Sequence, residues 1–234
     1  MRKSTVRVAA AVFALGLFAA ACGSDSDSSV TEDTVATEDT TVVTEDTAAA
    51  AVDGVTCEGV SIAFFGALSG DAGNLGKNIR AGADLAVSEF NTANPDCQVG
   101  LVDFDSQGDP AQAPALAQKA IDDAGILGIV GPAFSGESKA ANPLFDAAGL
   151  AIITPSATNA DLNDNNWKVF HRALAGDDKQ GPGLASKITA DGKMKVGVLD
   201  DASEYGKGLA DIVQTSLGDK AVEMNSLDPE SADY

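Results

Sequence analysis

The chain reads as an α/β protein, a doubly wound parallel sheet with helices on both faces. Three observations carry this reading. Short apolar runs of strand length alternate with amphipathic runs of helix length between residues 61 and 226. Glycine, proline and aspartate punctuate the junctions, where helices begin and stop. Two of the strands also end alike: 126–131 runs into Pro132, Ala133, Phe134, Ser135 and Gly136, and 150–154 into Pro155, Ser156, Ala157 and Thr158.

The elements follow in order. Residues 61–65 form the first strand. Residues 75–91 form a helix, because Ile79, Ala83, Ala86 and Phe90 are spaced four, three and four apart and share one face. Residues 98–104 give the second strand. Asp109 and Pro110 then supply an N-cap and a first-turn proline to a helix reaching Asp123, closed by Gly125. Strand 126–130, helix 138–148 closed by Gly149, and strand 150–154 continue the alternation. A crossing segment, 167–173, leads to a helix near 180–190, a strand at 195–199, a helix at 205–217 and a last strand at 221–226. Strand and helix in strict turn require crossover connections, and so a parallel sheet.

The amino-terminal region has a different composition. Arg2, Lys3 and Arg7 precede an apolar run at 8–18, and Ala19, Ala20 and Ala21 end it, the pattern of a secretory signal. That run is too short to span a bilayer. Cys22 with Gly23 and Ser24 resembles the lipobox of bacterial lipoproteins, in which the cysteine becomes the lipidated first residue. Residues 24–53 repeat Thr-Glu-Asp-Thr from Thr31, Thr37 and Thr44, with no aromatic or basic residue to build a core, and read as an acidic disordered tether. The expected organisation is a signal peptide at 1–21, lipidated Cys22 and tether at 22–53, a first lobe at 54–175 and a second at 176–234.

The whole chain carries a formal charge of −20. Nine of its 35 acids sit in the tether and three of its 15 bases in the leader, leaving 26 acids against 12 bases, a net −14 for the rest. That excess argues against nucleic acid and anionic membrane surfaces as partners. Cys57 and Cys97 remain once Cys22 is set aside, and each stands just before a strand. An exported setting permits them to pair, closing a loop of 41 residues. No Cys/His/Asp cluster has metal-ligand spacing and no glycine-rich loop matches a phosphate cradle, so no cofactor or metal is expected.

In open α/β sheets ligands bind outside the carboxyl ends of the strands. If 126–130 and 150–154 are neighbours, Ser135, Ser156 and Thr158 project into that crevice together. Hydroxyls and free backbone N–H groups there suit a carboxylate, and Asp177, some twenty residues on in a loop before a helix, suits an ammonium group. Together they describe an amino-acid site. The same hydroxyls and Asp177 could instead serve only as helix caps.

The order and spacing of several segments (65–70 with 78–83, then 105–111, 131–136, 153–158, 180–182 and 200–206) resemble the branched-chain amino-acid-binding proteins of ABC importers, of the type I periplasmic-binding fold. The resemblance covers about 60–224. It implies two α/β lobes closing on a ligand, with Ser135 and Thr158 at the ligand carboxylate, Ser156 assisting through a backbone group, Asp177 at the ammonium, Tyr205 brought down by the second lobe, and Leu75 where leucine and valine binders often carry an aromatic. It further implies ABC permease subunits as partners and an extracytoplasmic location. Only 40 residues follow Met194, fewer than the roughly 50 a domain needs, so the second lobe is expected to be incomplete and closure on a ligand impaired.

Binders of amides, urea or other small polar solutes, and ligand sensors of the same fold, are the neighbouring readings. An enzyme is disfavoured: Phe134, Ser135 and Gly136 lack the G-x-S-x-G elbow, and His171, the sole histidine, lies on the crossing segment as a structural residue.

Overall fold

The computed structural model describes residues 57–227; the predicted leader, Cys22 and the acidic tether lie outside them. The alternation read along the chain becomes layers in space. Strands β1 (Ser61–Gly66), β2 (Gly100–Asp105), β3 (Ile126–Val130), β4 (Ala151–Thr154) and β5 (Phe170–Arg172) form one sheet in the order β2-β1-β3-β4-β5. Every pairing in it is parallel, for example Ala63 beside Val102 and Ile129 beside Ile152. Helices α1 (Gly73–Ala93), α2 (Ala113–Asp122) and α3 (Ser135–Ala148) make the crossovers. From β1 to β2 the chain moves one way along the sheet and from β2 to β3 the other. Right-handed crossovers therefore place α1 and α2 on opposite faces.

One face closes on a core of unusual composition. Ala113, Ala117 and Ala120 of α2 and Ala141 and Phe145 of α3 meet Ala63 and Phe65 of β1, Ile126 and Ile129 of β3 and Ile152 of β4. All five alanines are wholly inaccessible. Phe145 meets Phe65 edge-on at 5.8 Å between ring centres, an arrangement worth about 0.5–1.5 kcal/mol beyond the area the rings bury. Helix α1 approaches the chain after β1 closely at Gly76, where a Cβ would fall 1.6 Å from the Ala67 carbonyl oxygen.

A second core forms further along. Helices α4 (Asp177–Ala190) and α5 (Glu204–Leu217) with strands β6 (Val196–Asp200) and β7 (Ala221–Ser226) bury Ala185, Val198, Ala210, Val213 and Leu217. Here β6 and β7 pair in parallel as a sheet of their own.

Four local expectations change. The helix after Asp109 begins later, at Ala113, because Asp109 Oδ1 accepts from Ala111 N–H (2.8 Å) and its carbonyl from Gln112 N–H (3.1 Å), closing a separate turn. Helix α3 begins three residues earlier than read, at Ser135: Phe134 is extended and its N–H donates to the Glu137 carboxylate at 3.0 Å, which satisfies one of the donors left free at a helix start. The crossing segment contains β5, which pairs with β4 and carries His171 into the sheet. Asp177 lies in the first turn of α4 and not in a loop, after Gly176, where a Cβ would meet Arg172 Nη2 at 2.5 Å.

Cys57 and Cys97, ahead of the neighbouring strands β1 and β2, are joined as a disulfide with their Cα atoms 4.8 Å apart. No helix among the described residues is long and apolar enough to cross a membrane.

Candidate functional site

The strand ends converge on a cleft. Gly131, at φ +136°, turns the chain sharply after β3; its N–H donates to Ile153 O at 2.8 Å, and a Cβ there would lie 2.3 Å from Phe65 O. Only glycine fits, and the turn delivers Phe134, Ser135 and Gly136 to the top of the sheet, where α3 begins. After β4, Thr154 anchors the second turn: its hydroxyl donates to Pro132 O (2.7 Å) and accepts from Ala157 N–H (3.0 Å). The two strand-end turns are thereby locked together.

A cleft of about 760 Å³ opens above them, lined by Leu75, by 107–110, by 133–136, by Ser156 and Thr158, and across from these by Asp201, Ser203, Glu204 and Tyr205. A depression of about 600 Å³ beside it shares Asp201 and Tyr205. Its remaining wall is mostly aliphatic, Leu184, Leu199, Leu209 and Leu227 among it, so the first cleft holds the groups that could orient a polar ligand.

The predicted hydroxyls differ in what they leave free. Ser135 is buried, and its Oγ accepts from Asn159 N–H at 3.2 Å, which leaves its own proton to donate. Ser156 already donates to Ala133 O at 2.5 Å. The Thr158 hydroxyl is buried with no hydrogen-bond partner. The N–H groups of Ser135 and Gly136 open α3, where donors have no partner within the helix and the dipole is positive, the usual setting for an anion.

Asp177 sits one layer deeper. It is not on the cleft wall; its N–H donates to Thr158 O at 2.8 Å, and its side chain is fully inaccessible, with no hydrogen bond of ordinary length to either carboxylate oxygen. Burial raises its carboxyl above the ordinary carboxylate range, while the nearby Thr158 hydroxyl and Arg172 guanidinium pull it back. The Arg172 guanidinium is itself directed to Asn159 O, 2.9 Å away.

The opposite wall is the start of α5. Ser203 caps it, accepting from Gly206 N–H at 2.9 Å, and Tyr205 is 41% exposed beside the cleft. Lys139 of α3 and Asn159 from the segment after β4 grip this wall: Lys139 pairs with the Glu204 carboxylate at 2.8 Å, and Asn159 Nδ2 donates to Glu204 O at 2.6 Å.

Leu75, Ser135, Ser156, Thr158 and Tyr205 therefore share one cleft, and Asp177 lies behind it. The reading by residue roles passed over Asp109, Phe134, Gly136, Asp201 and Glu204 on the walls, although 105–111 and 200–206 follow strand ends, the same signal that singled out the hydroxyls. It also missed Glu137, fully buried beneath the cleft, which accepts from the Ser106 hydroxyl and from Phe134 N–H. Burial pushes its carboxyl up to about 7 against those two hydrogen bonds, and the charge of Asp105 pushes the same way. Its spacing of three after Phe134, the residue just before the helix, was the available sign.

A strand order of 2-1-3-4-5, crossovers on both faces and a cleft at the carboxyl ends define a ligand-binding α/β protein. The family described as periplasmic binding protein matches residues 59–231, and the chain belongs to that family, with the type I fold. A leucine-, isoleucine-, valine-, threonine- and alanine-binding protein of Pseudomonas aeruginosa is 32% identical over 168 residues, 70% of this chain and 45% of that one. A leucine-specific-binding protein of Salmonella typhimurium is 32% identical over 174 residues, 73% and 47% of the two chains. Among solved structures, a branched-chain amino acid transporter substrate binding protein of Streptococcus pneumoniae, in complex with isoleucine, superposes with a TM-score of 0.68 at 28% identity, covering 75% of this chain and 51% of that one. The chain spans about half the length of the curated relatives it matches.

Proposed function

We propose that this chain is a non-enzymatic, extracytoplasmic substrate-binding component of an amino-acid importer, lipid-anchored through Cys22, which holds an aliphatic amino acid between two lobes (54–175 and 176–234) and delivers it to ABC permease subunits. The relatives' names and the family support the class. The observation that carries the choice of ligand is the pairing of a carboxylate receiver with an unpaired acid. The free N–H groups of α3, the Ser135 hydroxyl and the Thr158 hydroxyl receive one end, and Asp177, one residue layer behind Thr158, makes no hydrogen bond of ordinary length with either oxygen and has only the influence of Thr158 and Arg172 nearby to favour its charge. A buried carboxylate is costly, the Arg172 guanidinium directed to Asn159 O offsets only part of that cost, and a ligand ammonium would offset more. Reaching it requires the Thr158 side chain to turn or the α4 start to shift, and Leu75 and Phe134 supply the apolar wall for a side chain.

Amides, urea and sensing of the same ligand are the alternatives within this fold; a neutral solute would leave Asp177 unpaired. Calorimetric titration with the twenty amino acids, an amide and urea decides among them. An aliphatic amino acid should bind best, and Asp177→Asn should weaken it about tenfold to hundredfold, the scale of a charge-assisted hydrogen bond. Equal affinity of the wild type and Asp177→Asn would overturn the amino-acid reading.

A further inference from the structure

Glu137 joins the two walls that meet a ligand's carboxylate end. Its Oε2 accepts from Phe134 N–H at 3.0 Å, fixing the start of α3, and its Oε1 accepts from Ser106 Oγ. Ser106 immediately precedes 107–110, the neighbouring wall, and its Oγ also accepts from Gly108 N–H at 3.2 Å. The carboxyl is wholly inaccessible. Asp105, from the end of β2, is the charged group that acts on it; Asp109 lies on the adjoining wall, and Lys139, on its own helix, is turned outward to Glu204. No cation among these neutralises Glu137. The unpartnered Thr158 hydroxyl, itself buried, lines the same cleft, next in sequence to Asn159, whose N–H bonds Ser135 Oγ. An anion seated there therefore shares the positive end of α3 with a buried carboxylate.

We propose that Glu137 is a positioning residue that holds both walls of the carboxylate site and takes up a proton from solvent when a ligand carboxylate binds at the start of α3. This rests on the amino-acid reading of the cleft. Two negative charges at one helix start repel, and protonation removes one. Both contacts survive it, one of them with donor and acceptor exchanged. The protonated carboxyl donates to Ser106 Oγ, reversing that bond and turning the Ser106 proton away from it, while its other oxygen still accepts from Phe134 N–H, so both walls stay tied to Glu137. Burial already pushes the carboxyl up to about 7, and a bound carboxylate raises it further, so uptake occurs just above that pH. Asp177 acts in the opposite sense, since an ammonium beside it favours its ionised form and releases a proton.

L-Isoleucine is the probe, titrated calorimetrically into the whole chain and into Glu137→Gln, in phosphate and in Tris, from pH 6 to 8.5. Glutamine reproduces the protonated form, its oxygen accepting from Phe134 N–H and its amide donating to Ser106 Oγ. Wild-type affinity should fall three- to tenfold as pH rises through this range, with buffer-dependent heat near pH 7.5 that reports proton uptake relative to the mutant. Glu137→Gln should bind at every pH with the wild type's low-pH affinity. A parallel pH dependence in both proteins, or a mutant weaker at all pH values, would make Glu137 merely structural and overturn the inference while leaving the amino-acid reading intact. No heat in either protein at any pH from isoleucine, nor from leucine, valine or alanine, overturns both.

Discussion

Replacing Glu137 by glutamine should stabilise the protein at alkaline pH by about 3 kcal/mol and leave it nearly unchanged at acidic pH. The carboxyl's ordinary value of 4.5 rises to about 7 in the fold, chiefly through burial, and every tenfold gain in proton affinity is worth about 1.4 kcal/mol. The side chain has no solvent exposure, so screening does not reduce that figure. The folded protein binds this proton more tightly than the unfolded chain. Its contribution is therefore fully present below pH 4.5 and is lost as pH rises through about 7. Glutamine never ionises, so the mutant escapes the loss. Urea denaturation followed by circular dichroism at pH 5, 7 and 8.5 measures the difference between the two proteins. Asp177, raised in the same direction, and Asp105, lowered, are present in both and cancel. The expected difference is within about 1 kcal/mol at pH 5, growing to about 3 at pH 8.5. A difference that stays constant with pH would refute the assignment of a buried, proton-binding carboxyl at this position.

Reducing the Cys57–Cys97 bond, which spans 40 positions of sequence, should cost about 4 kcal/mol in the chain-entropy account; thermal melts with and without reductant check it, and coincident melts would count against the bond. Gly131→Ala should cost about 2 to 4 kcal/mol, because a Cβ meets Phe65 O at 2.3 Å in a backbone conformation that L-residues avoid; an unchanged urea midpoint would show that the turn can relax. Cys22→Ala should release the protein from membranes into the medium, and fractionation that finds the mutant still bound would remove the lipid-anchor proposal.

The alternation of strands and helices was legible because it depends on local periodicity, and the strand-end hydroxyls were legible because proline and glycine mark where strands stop. Helix starts were less so. Asp109–Pro110 carries the right residue types for a helix start, yet the chain uses Asp109 to close a turn and begins the helix at Ala113, beside Pro114. Ser135 opens α3 because Glu137 reaches back to Phe134, a contact that depends on burial as well as spacing. The depth of Asp177 was not legible at all. That it lies behind Thr158 and not on the cleft surface follows from where β4, β5 and α4 sit in space, and no local pattern records that.

The alanines packed between α2, α3 and the sheet carry a consequence for how this protein is probed. Alanine scanning locates a core by what is lost on truncation, and at Ala63, Ala113, Ala117, Ala120 and Ala141 there is nothing to truncate. Such a scan would register Phe65, Phe145, Ile126, Ile129 and Ile152 but miss the half of the interface that the alanines build. Enlargement is the informative experiment there, because added methylenes in a close-packed interior force the layers apart. In a collection of natural variants, the same positions would be recognised by rejecting valine and leucine, residues that an ordinary core welcomes.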